Sequence, residues 1–273
     1  MSVFAILLVA IGVADLARSI IEQRSTREGD ATRWRVHRIG TEAGIVSLWF
    51  GAALAGLLTT TSGWLLVALA TVSLAAWLLV SGWALTRDRG HVIALSTLAG
   101  GLVAQLALAG WAPQAGGALA RWITWADLPW SPEPGRALLI AGLALVQLST
   151  GNLIVRLVLI STGAMAPGPP IDRTQAADRA QEPDQPSDTL KGGRLLGPLE
   201  RIFILGLGLA GQVTAAGIVI AAKGLIRWPE LRSYARPGSA GGRHSDIDTV
   251  TEYFLVGSFV SWLVALGALV LAL

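Results

Sequence analysis

The sequence predicts an all-α protein, a polytopic transmembrane helical bundle of about seven spans. Of its 273 residues, 53% are apolar and only 14% are charged, whereas an ordinary soluble domain carries about 25% charged residues. Seven stretches approach the roughly 20 apolar residues that a helix needs to cross a bilayer. These observations together indicate that most of the chain lies in hydrocarbon.

The predicted spans share a long apolar run bounded by polar or aromatic residues. In chain order they cover residues 2–21, 42–59, 64–85, 92–112, 137–155, 202–222 and 251–273. Trp64 and Trp83 are spaced about 28 Å apart along a helix, which is typical of the aromatic belts at the two ends of one span. A short interfacial helix is expected over residues 118–128, where tryptophan recurs.

Composition divides the chain into three regions. Residues 1–161 hold five spans and a basic loop over 22–41, and residues 194–273 form a two-span hairpin. Between them, residues 162–193 are rich in Pro, Asp, Gln and Thr, which predicts a disordered linker. Because basic loops favour the cytoplasmic side, the arginines of the loop and linker predict an N-terminus outside the membrane.

Composition also excludes several kinds of chemistry. The chain has no cysteine, which removes disulfides, thiolate metal sites and cysteine nucleophiles. Its three histidines are scattered, so no metal site, catalytic residue or cofactor is predicted. The net charge of +3 is attributed to basic loops rather than to nucleic-acid binding. Residues 206–211 read G-x-G-x-x-G, but they lie in an apolar helix and are interpreted as packing residues.

Polar side chains within apolar segments are the candidate functional residues, because such groups are costly in hydrocarbon. Asp15 and Arg18 have the i,i+3 spacing of an intramembrane ion pair. Gln147 and Asn152 in the fifth segment either bond neighbouring helices or line a solute path, with Arg156 at the end of that segment.

The C-terminal region contains a second group of charged residues near the ends of its predicted spans. They are interpreted either as interfacial anchors or as parts of a site. Thr249 and Glu252 have the spacing of a capping box, which predicts the start of the last helix. The candidate substrate-binding residues are Gln147, Asn152, Arg156, Glu200, Arg201, Lys223, Arg227, Glu252 and Tyr253.

The C-terminal third carries three motifs in a fixed order. They read G-R-L-L-G-P-L-E-R over 193–201, A-A-K-G-L-I-R-W over 221–228 and E-Y-F-L-V-G-S over 252–258. This region resembles an uncharacterised family of bacterial polytopic membrane proteins, the domain of unknown function 3307. Trp228 replaces the family's phenylalanine, and Ile11 stands where the family has a histidine before an intramembrane aspartate. The resemblance implies a bacterial inner-membrane location and a site formed by the charged residues of this region.

Three functions are compatible with these observations. The first is a transporter-like unit or a component that handles an anionic solute or lipid, with anionic lipid headgroups as partners and a homo- or hetero-oligomer left open. The second is an intramembrane enzyme acting on a lipid-linked substrate, with Asp15 or Glu200 as general acid or base. The third is an assembly or scaffold subunit of a membrane complex. The lack of a predicted inverted repeat or broken helix pair weighs against transport.

Overall fold

The computed structural model describes residues 1–24, 31–127, 133–165, 193–234 and 244–273. Within these ranges the chain forms helices and turns, which confirms the all-α class. The α-helices are α1 (Ser2–Arg24), α2 (Ala31–Leu54), α3 (Thr61–Arg87), α4 (His91–Ala107), α5 (Gly117–Ala126), α6 (Pro134–Leu148), α7 (Thr150–Ser161), α8 (Gly193–Leu209), α9 (Val213–Tyr234) and α10 (His244–Ala272). Two 3-10 helices, Leu57–Thr59 and Ala109–Trp111, follow α2 and α4.

Three of these helices are long and apolar enough to cross a membrane. They are Ser2–Glu22 within α1, Thr61–Arg87 and Glu252–Ala272 within α10. The pair α6 and α7 is a fourth candidate, bent by 48° at the break between them. The seven predicted spans are therefore not supported, since α4 has only 17 residues and the N-terminal part of α2 is rich in arginine.

Both ends of the described chain lie at the same end of the helical bundle. Phe4 belongs to one hydrophobic cluster with Ala268 and Ala272. The N-terminal ammonium donates a hydrogen bond to the carbonyl of Ala109, 3.2 Å away, just beyond α4. An odd number of spans would separate the two ends, so this packing also argues against seven.

The predicted sixth span, residues 202–222, is not a single helix. Its apolar sequence divides into α8 and α9 at a turn where Gly211 has a φ of +73°. Such a left-handed residue ends a helix, and glycine adopts that conformation without a Cβ clash. Ile204 of α8 packs with Ala216 of α9, so these helices form an antiparallel hairpin.

The first helix is the centre of the bundle, with α2, α3 and α6 packed around it. Residues 3–8 are almost completely buried. A Cβ on Gly12 would lie 2.6 Å from the Cβ of Leu145 in α6, and one on Gly44 of α2 would lie 2.8 Å from the Cβ of Ala14. These glycines allow α2 and α6 to approach α1 closely, and that approach positions the polar residues on α1.

Three local predictions can be compared with the observed helices. A helix, α5, is present where the interfacial helix was expected at 118–128, and its interfacial position stays a prediction. The predicted loop over 22–41 is helical from Ala31 onwards, and residues 25–30 lie outside the described ranges. The last helix begins at His244 rather than near residue 251. Thr249 therefore lies within α10, and the predicted capping box is wrong.

The linker predicted over residues 162–193 falls largely outside the described residues. Only residues 162–165 and Gly193 belong to described segments. Its predicted disorder stays a prediction.

Candidate functional site at the break between α6 and α7

The predicted fifth span, residues 137–155, is interrupted near its middle. α6 ends at Leu148, α7 begins at Thr150, and Ser149 between them has non-helical φ and ψ angles of −127° and −56°. Ser149 is only 8% exposed, so the break is inside the bundle. A break inside the bundle leaves backbone groups that need partners from elsewhere, because buried N–H and C=O groups are almost always hydrogen-bonded.

On one side of the break lies the carboxylate of Asp15 from α1, which is 3% exposed. Its Oδ2 accepts hydrogen bonds from Thr150 Oγ1 at 2.8 Å and from Trp77 Nε1 at 3.2 Å. Thr150 is the first residue of α7, and a negative charge is favoured at the N-terminal end of a helix. The carboxylate therefore complements the start of α7.

Arg18, the predicted partner of Asp15, lies beside that carboxylate. Its Nη1 is 3.8 Å from Asp15 Oδ1, too long for a hydrogen bond. Its Nη2 donates to the carbonyl of Leu78 at 3.0 Å, and its Nη1 reaches Ser81 Oγ at 3.4 Å. The two side chains thus form a loose ion pair that fastens α1 to α3.

On the other side of the break lies the guanidinium of Arg201 from α8, which is 1% exposed. Nε and Nη2 both donate to the carbonyl of Gln147, at 3.1 and 2.8 Å. In a continuous helix this carbonyl would accept from the amide of Gly151. Arg201 instead satisfies the backbone at the C-terminal end of α6, where a positive charge is favoured.

Two further side chains complete the surroundings of the Arg201 guanidinium. Its Nη2 donates to Asn152 Oδ1 at 2.6 Å, and its Nη1 donates to Ser261 Oγ of α10 at 3.1 Å. Together with the Gln147 carbonyl, all of these acceptors are uncharged. The neighbouring Glu200 accepts a 2.8 Å hydrogen bond from Trp262 Nε1. The guanidinium thus bonds to neutral oxygens, and the charge of the neighbouring Glu200 attracts it in addition.

The two sides of the break are joined through consecutive residues. Thr150 bonds to Asp15, and a Cβ on the next residue, Gly151, would lie 2.8 Å from Arg201 Nε. Four buried side-chain atoms lack a hydrogen-bond partner among the described residues. Three of these belong to this site: Asp15 Oδ1, Arg18 Nε and Gln147 Oε1. Such atoms are uncommon in native proteins, and their concentration here marks the break as the candidate functional site.

The other predicted site residues are not among the groups described at the break, as far as their side chains are described. Arg156 and Glu252 are exposed and Tyr253 is half-buried. The side chains of Lys223 and Arg227 are outside the described set, although both residues lie in α9. Within the described ranges, no group of three or more Asp, Glu, His or Cys residues could hold a metal ion.

Sequence reasoning missed several residues of the site. Trp77 is fully buried in the middle of α3, unlike the belt tryptophans at the ends of that helix, and this central position was its only signal. Thr150 is one of several polar residues in an apolar segment, and nothing in the sequence assigns it a partner. Ser261 belongs to a stripe of small residues that is typical of helix packing, and Trp262 carries no signal of its own.

Comparison with protein-family models, curated proteins and solved structures finds no match to this chain. The resemblance of the C-terminal third therefore stays a prediction, and the functional argument rests on the geometry of the break.

Proposed function

We propose that the protein is a multi-pass membrane protein of the transporter-like kind, which handles an anionic solute or lipid at the break between α6 and α7. The observation that carries this proposal is the interrupted helix, whose two ends face a buried carboxylate and a buried guanidinium. Transporter sites are commonly formed by discontinuous membrane helices. The sequence did not predict a broken helix, and the one bent span weakens the objection to transport that concerned broken helices.

The charge at the site favours an anion as the handled species. The hydrogen bonds of Arg201 go to neutral acceptors, and the neighbouring Glu200 offsets part of its charge. The guanidinium therefore remains the group at the break that attracts an anion, in a medium of low dielectric constant. Charged residues within membrane segments commonly mark a solute or ion pathway. Gln147 and Asn152 add amide groups beside that charge, and such groups can replace the hydration of a polar solute.

The enzyme alternative receives less support from the same geometry. A general acid or base must present a free oxygen to its substrate. Oδ2 of Asp15 is held by Thr150 and Trp77, and Oε1 of Glu200 is held by Trp262. Oδ1 of Asp15 has no hydrogen-bond partner among the described residues, but it is buried beside Arg18 and is not exposed to a substrate. These bonds suit positioning better than proton transfer to a substrate.

The cellular placement in this proposal follows the sequence. We place the chain in the bacterial inner membrane with anionic lipids around it and the N-terminus outside. The three to four candidate spans support membrane association, whereas the orientation depends on the basic loops alone.

Flux measurements test the proposed function. The full chain is reconstituted in liposomes and screened for uptake of radiolabelled phosphate, sulfate and small carboxylates, and for flipping of a fluorescent anionic phospholipid. We expect one of these species to move in the wild type and in Arg156→Gln, which removes an exposed charge. In Arg201→Gln we expect a loss of tenfold or more, because one buried charged hydrogen-bonding group is worth at least about 1.5 kcal/mol.

A milder variant separates loss of function from loss of folding. Asn152→Ala removes one acceptor of Arg201 at a half-buried position, and we expect reduced flux in a protein that elutes as the wild type does. Flux that is equal in all variants, or no flux of any anion tested, would contradict the proposed function.

A further inference from the structure

A second feature of the molecule lies where α1 ends, α2 begins and α3 ends. An open cleft of about 450 Å³ is lined there by nine residues, among them Arg18, Arg38, Glu42, Leu79 and Trp83. Small-molecule sites commonly have volumes of about 300–1,000 Å³. The cleft is separate from the residues that surround Arg201.

Arg18 is the buried group that gives this cleft a specific chemistry. The residue is only 9% exposed, and its Nε lacks a hydrogen-bond partner among the described residues. A Cβ on Gly40 of α2 would lie 2.4 Å from Arg18 Cγ, so this glycine makes room for the side chain between the helices. The ion pair with Asp15 is long, at 3.8 Å, and Nη1 and Nη2 use one N–H group each in their bonds to Ser81 and Leu78. Donor capacity therefore remains on these two nitrogens, while the carboxylate of Glu22 also attracts the guanidinium.

The remaining walls combine a second guanidinium with apolar surface. Arg38 is exposed and forms a 2.8 Å ion pair with Glu42, and exposed pairs of this kind are weak and easily exchanged. Leu79 and Trp83 are 72% and 40% exposed and supply the apolar wall. A planar guanidinium matches the oxygens of phosphate, and a tryptophan near a helix end is suited to the headgroup region.

We propose that this cleft binds a phosphate-bearing group, with Arg18 and Arg38 as donors and Leu79 and Trp83 against the attached apolar part. This inference goes beyond the proposed function, because the cleft is separate from the break and its binding can be measured without transport. The group would come from an anionic phospholipid or from free phosphate, which share the same oxyanion chemistry. Glu42 competes for Arg38 and therefore weakens the binding.

Equilibrium binding tests this proposal without any flux measurement. The purified full chain is titrated with phosphatidylglycerol and with diacylglycerol of the same acyl chains, and adducts are counted by native mass spectrometry. Inorganic phosphate is titrated separately by calorimetry. Binding of phosphatidylglycerol alone identifies the lipid as the source, and binding of phosphate as well shows that the oxyanion is sufficient. If diacylglycerol binds as well as phosphatidylglycerol, the proposal is wrong.

Three variants should change the affinity in different directions, which a purely structural role would not produce. We expect Arg38→Gln to weaken binding roughly tenfold, the effect of one charge-assisted hydrogen bond. Glu42→Gln should strengthen binding by about twofold to fivefold, because it removes the competing carboxylate. Arg18→Lys keeps the charge beside Asp15 but lacks the guanidinium fork and should also weaken binding.

The matched control is Arg87→Gln, because Arg87 is an exposed arginine at the same end of the bundle that does not line the cleft. Equal binding by the Arg38 and Arg87 variants would overturn the proposal. If binding is lost as expected while Arg201-dependent flux is absent, the cleft stands and the proposed transport function fails. If flux depends on Arg201 but the Arg38 variant binds as the wild type does, the cleft proposal is rejected and the proposed transport function stands.

Discussion

At the scale of single residues, Gly151 is the position where the two charged networks come closest. Thr150 before it bonds to Asp15, and the missing side chain of Gly151 provides the space that Arg201 occupies. The residue thus allows a guanidinium to reach the backbone of an interrupted helix. Its role is steric, since its φ is not among the positive values seen in the described chain.

We predict that Gly151→Ala destabilises the protein by about 1–3 kcal/mol, the usual effect of overpacking a filled interior. The new Cβ would lie 2.8 Å from Arg201 Nε, and the guanidinium cannot retreat without lengthening its bonds to Gln147 and Asn152. Thermal unfolding in detergent measures the change.

Gly206→Ala is the control for that substitution. A Cβ on Gly206 meets no atom within 4 Å, and alanine favours a helix interior by up to about 1 kcal/mol over glycine. This variant should be as stable as the wild type or more so. If both variants unfold at the wild-type temperature, Arg201 is not held as the structure indicates.

The residue scale also shows how far the sequence could predict the site. Asp15 and Arg18 were predictable because a carboxylate and a guanidinium three residues apart share one helix face. Gln147 and Asn152 were predictable as amides in an apolar segment. The role of Arg201 was not, because its position beside an apolar run equally suits an interfacial anchor. Only the fold places its guanidinium at the carbonyl of Gln147.

At the scale of helices, the breaks are the main difference between expectation and structure. Residues 137–155 form an apolar run in which Ser149 is one of several small polar residues, and nothing in its local pattern specifies a bend. The interruption is stabilised by distant groups, Asp15 and Arg201, which sequence patterns do not connect. The turn at Gly211 carried a clearer signal, since glycine is followed there by the polar Gln212.

The contact between α8 and α10 was also predictable only in part. Small residues recur every third or fourth position in the sixth and seventh predicted segments, Gly206 among them, and this pattern predicts close contact of the two segments. The structure does bring α8 against α10, but the contact glycine is Gly208, whose Cβ would lie 2.4 Å from Leu269 Cδ2. The pattern of small residues thus predicts that the two helices meet, but it does not predict which face of α8 contacts α10.

We predict that Gly211→Ala destabilises the turn between α8 and α9 by about 1–2 kcal/mol, the cost of a left-handed conformation in a residue with a Cβ. Gly211 has a φ of +73°. Gly217→Ala in α9 is the matched control, because a Cβ there meets no atom within 4 Å. Thermal unfolding of both variants gives the comparison. Equal stability would mean that α8 and α9 form one continuous helix, as the sequence predicted.

At the scale of the whole molecule, the helices pass through the bundle an even number of times between Phe4 and Ala272. Those two residues share a cluster, although only three helices and one bent pair meet the criteria for a span by themselves. Shorter helices such as α4 run alongside the long ones, as the 3.0 Å hydrogen bond from Gln105 Nε2 to the carbonyl of Leu66 shows. Composition alone counts apolar runs and cannot detect an additional hairpin.

Labelling of introduced cysteines tests this arrangement, because the natural chain has no cysteine and gives no background signal. Gly110→Cys and Leu273→Cys are at exposed positions, and both lie at the end of the bundle that contains the N-terminus. Arg89→Cys, also exposed, follows α3 at the opposite end. In sealed vesicles of one orientation, an impermeant maleimide labels only cysteines on the outer side. We expect it either to label both Gly110→Cys and Leu273→Cys but not Arg89→Cys, or to label Arg89→Cys alone. Seven spans would instead place the positions near the two termini on opposite sides, so unlike labelling of Gly110→Cys and Leu273→Cys would contradict the even number of passes.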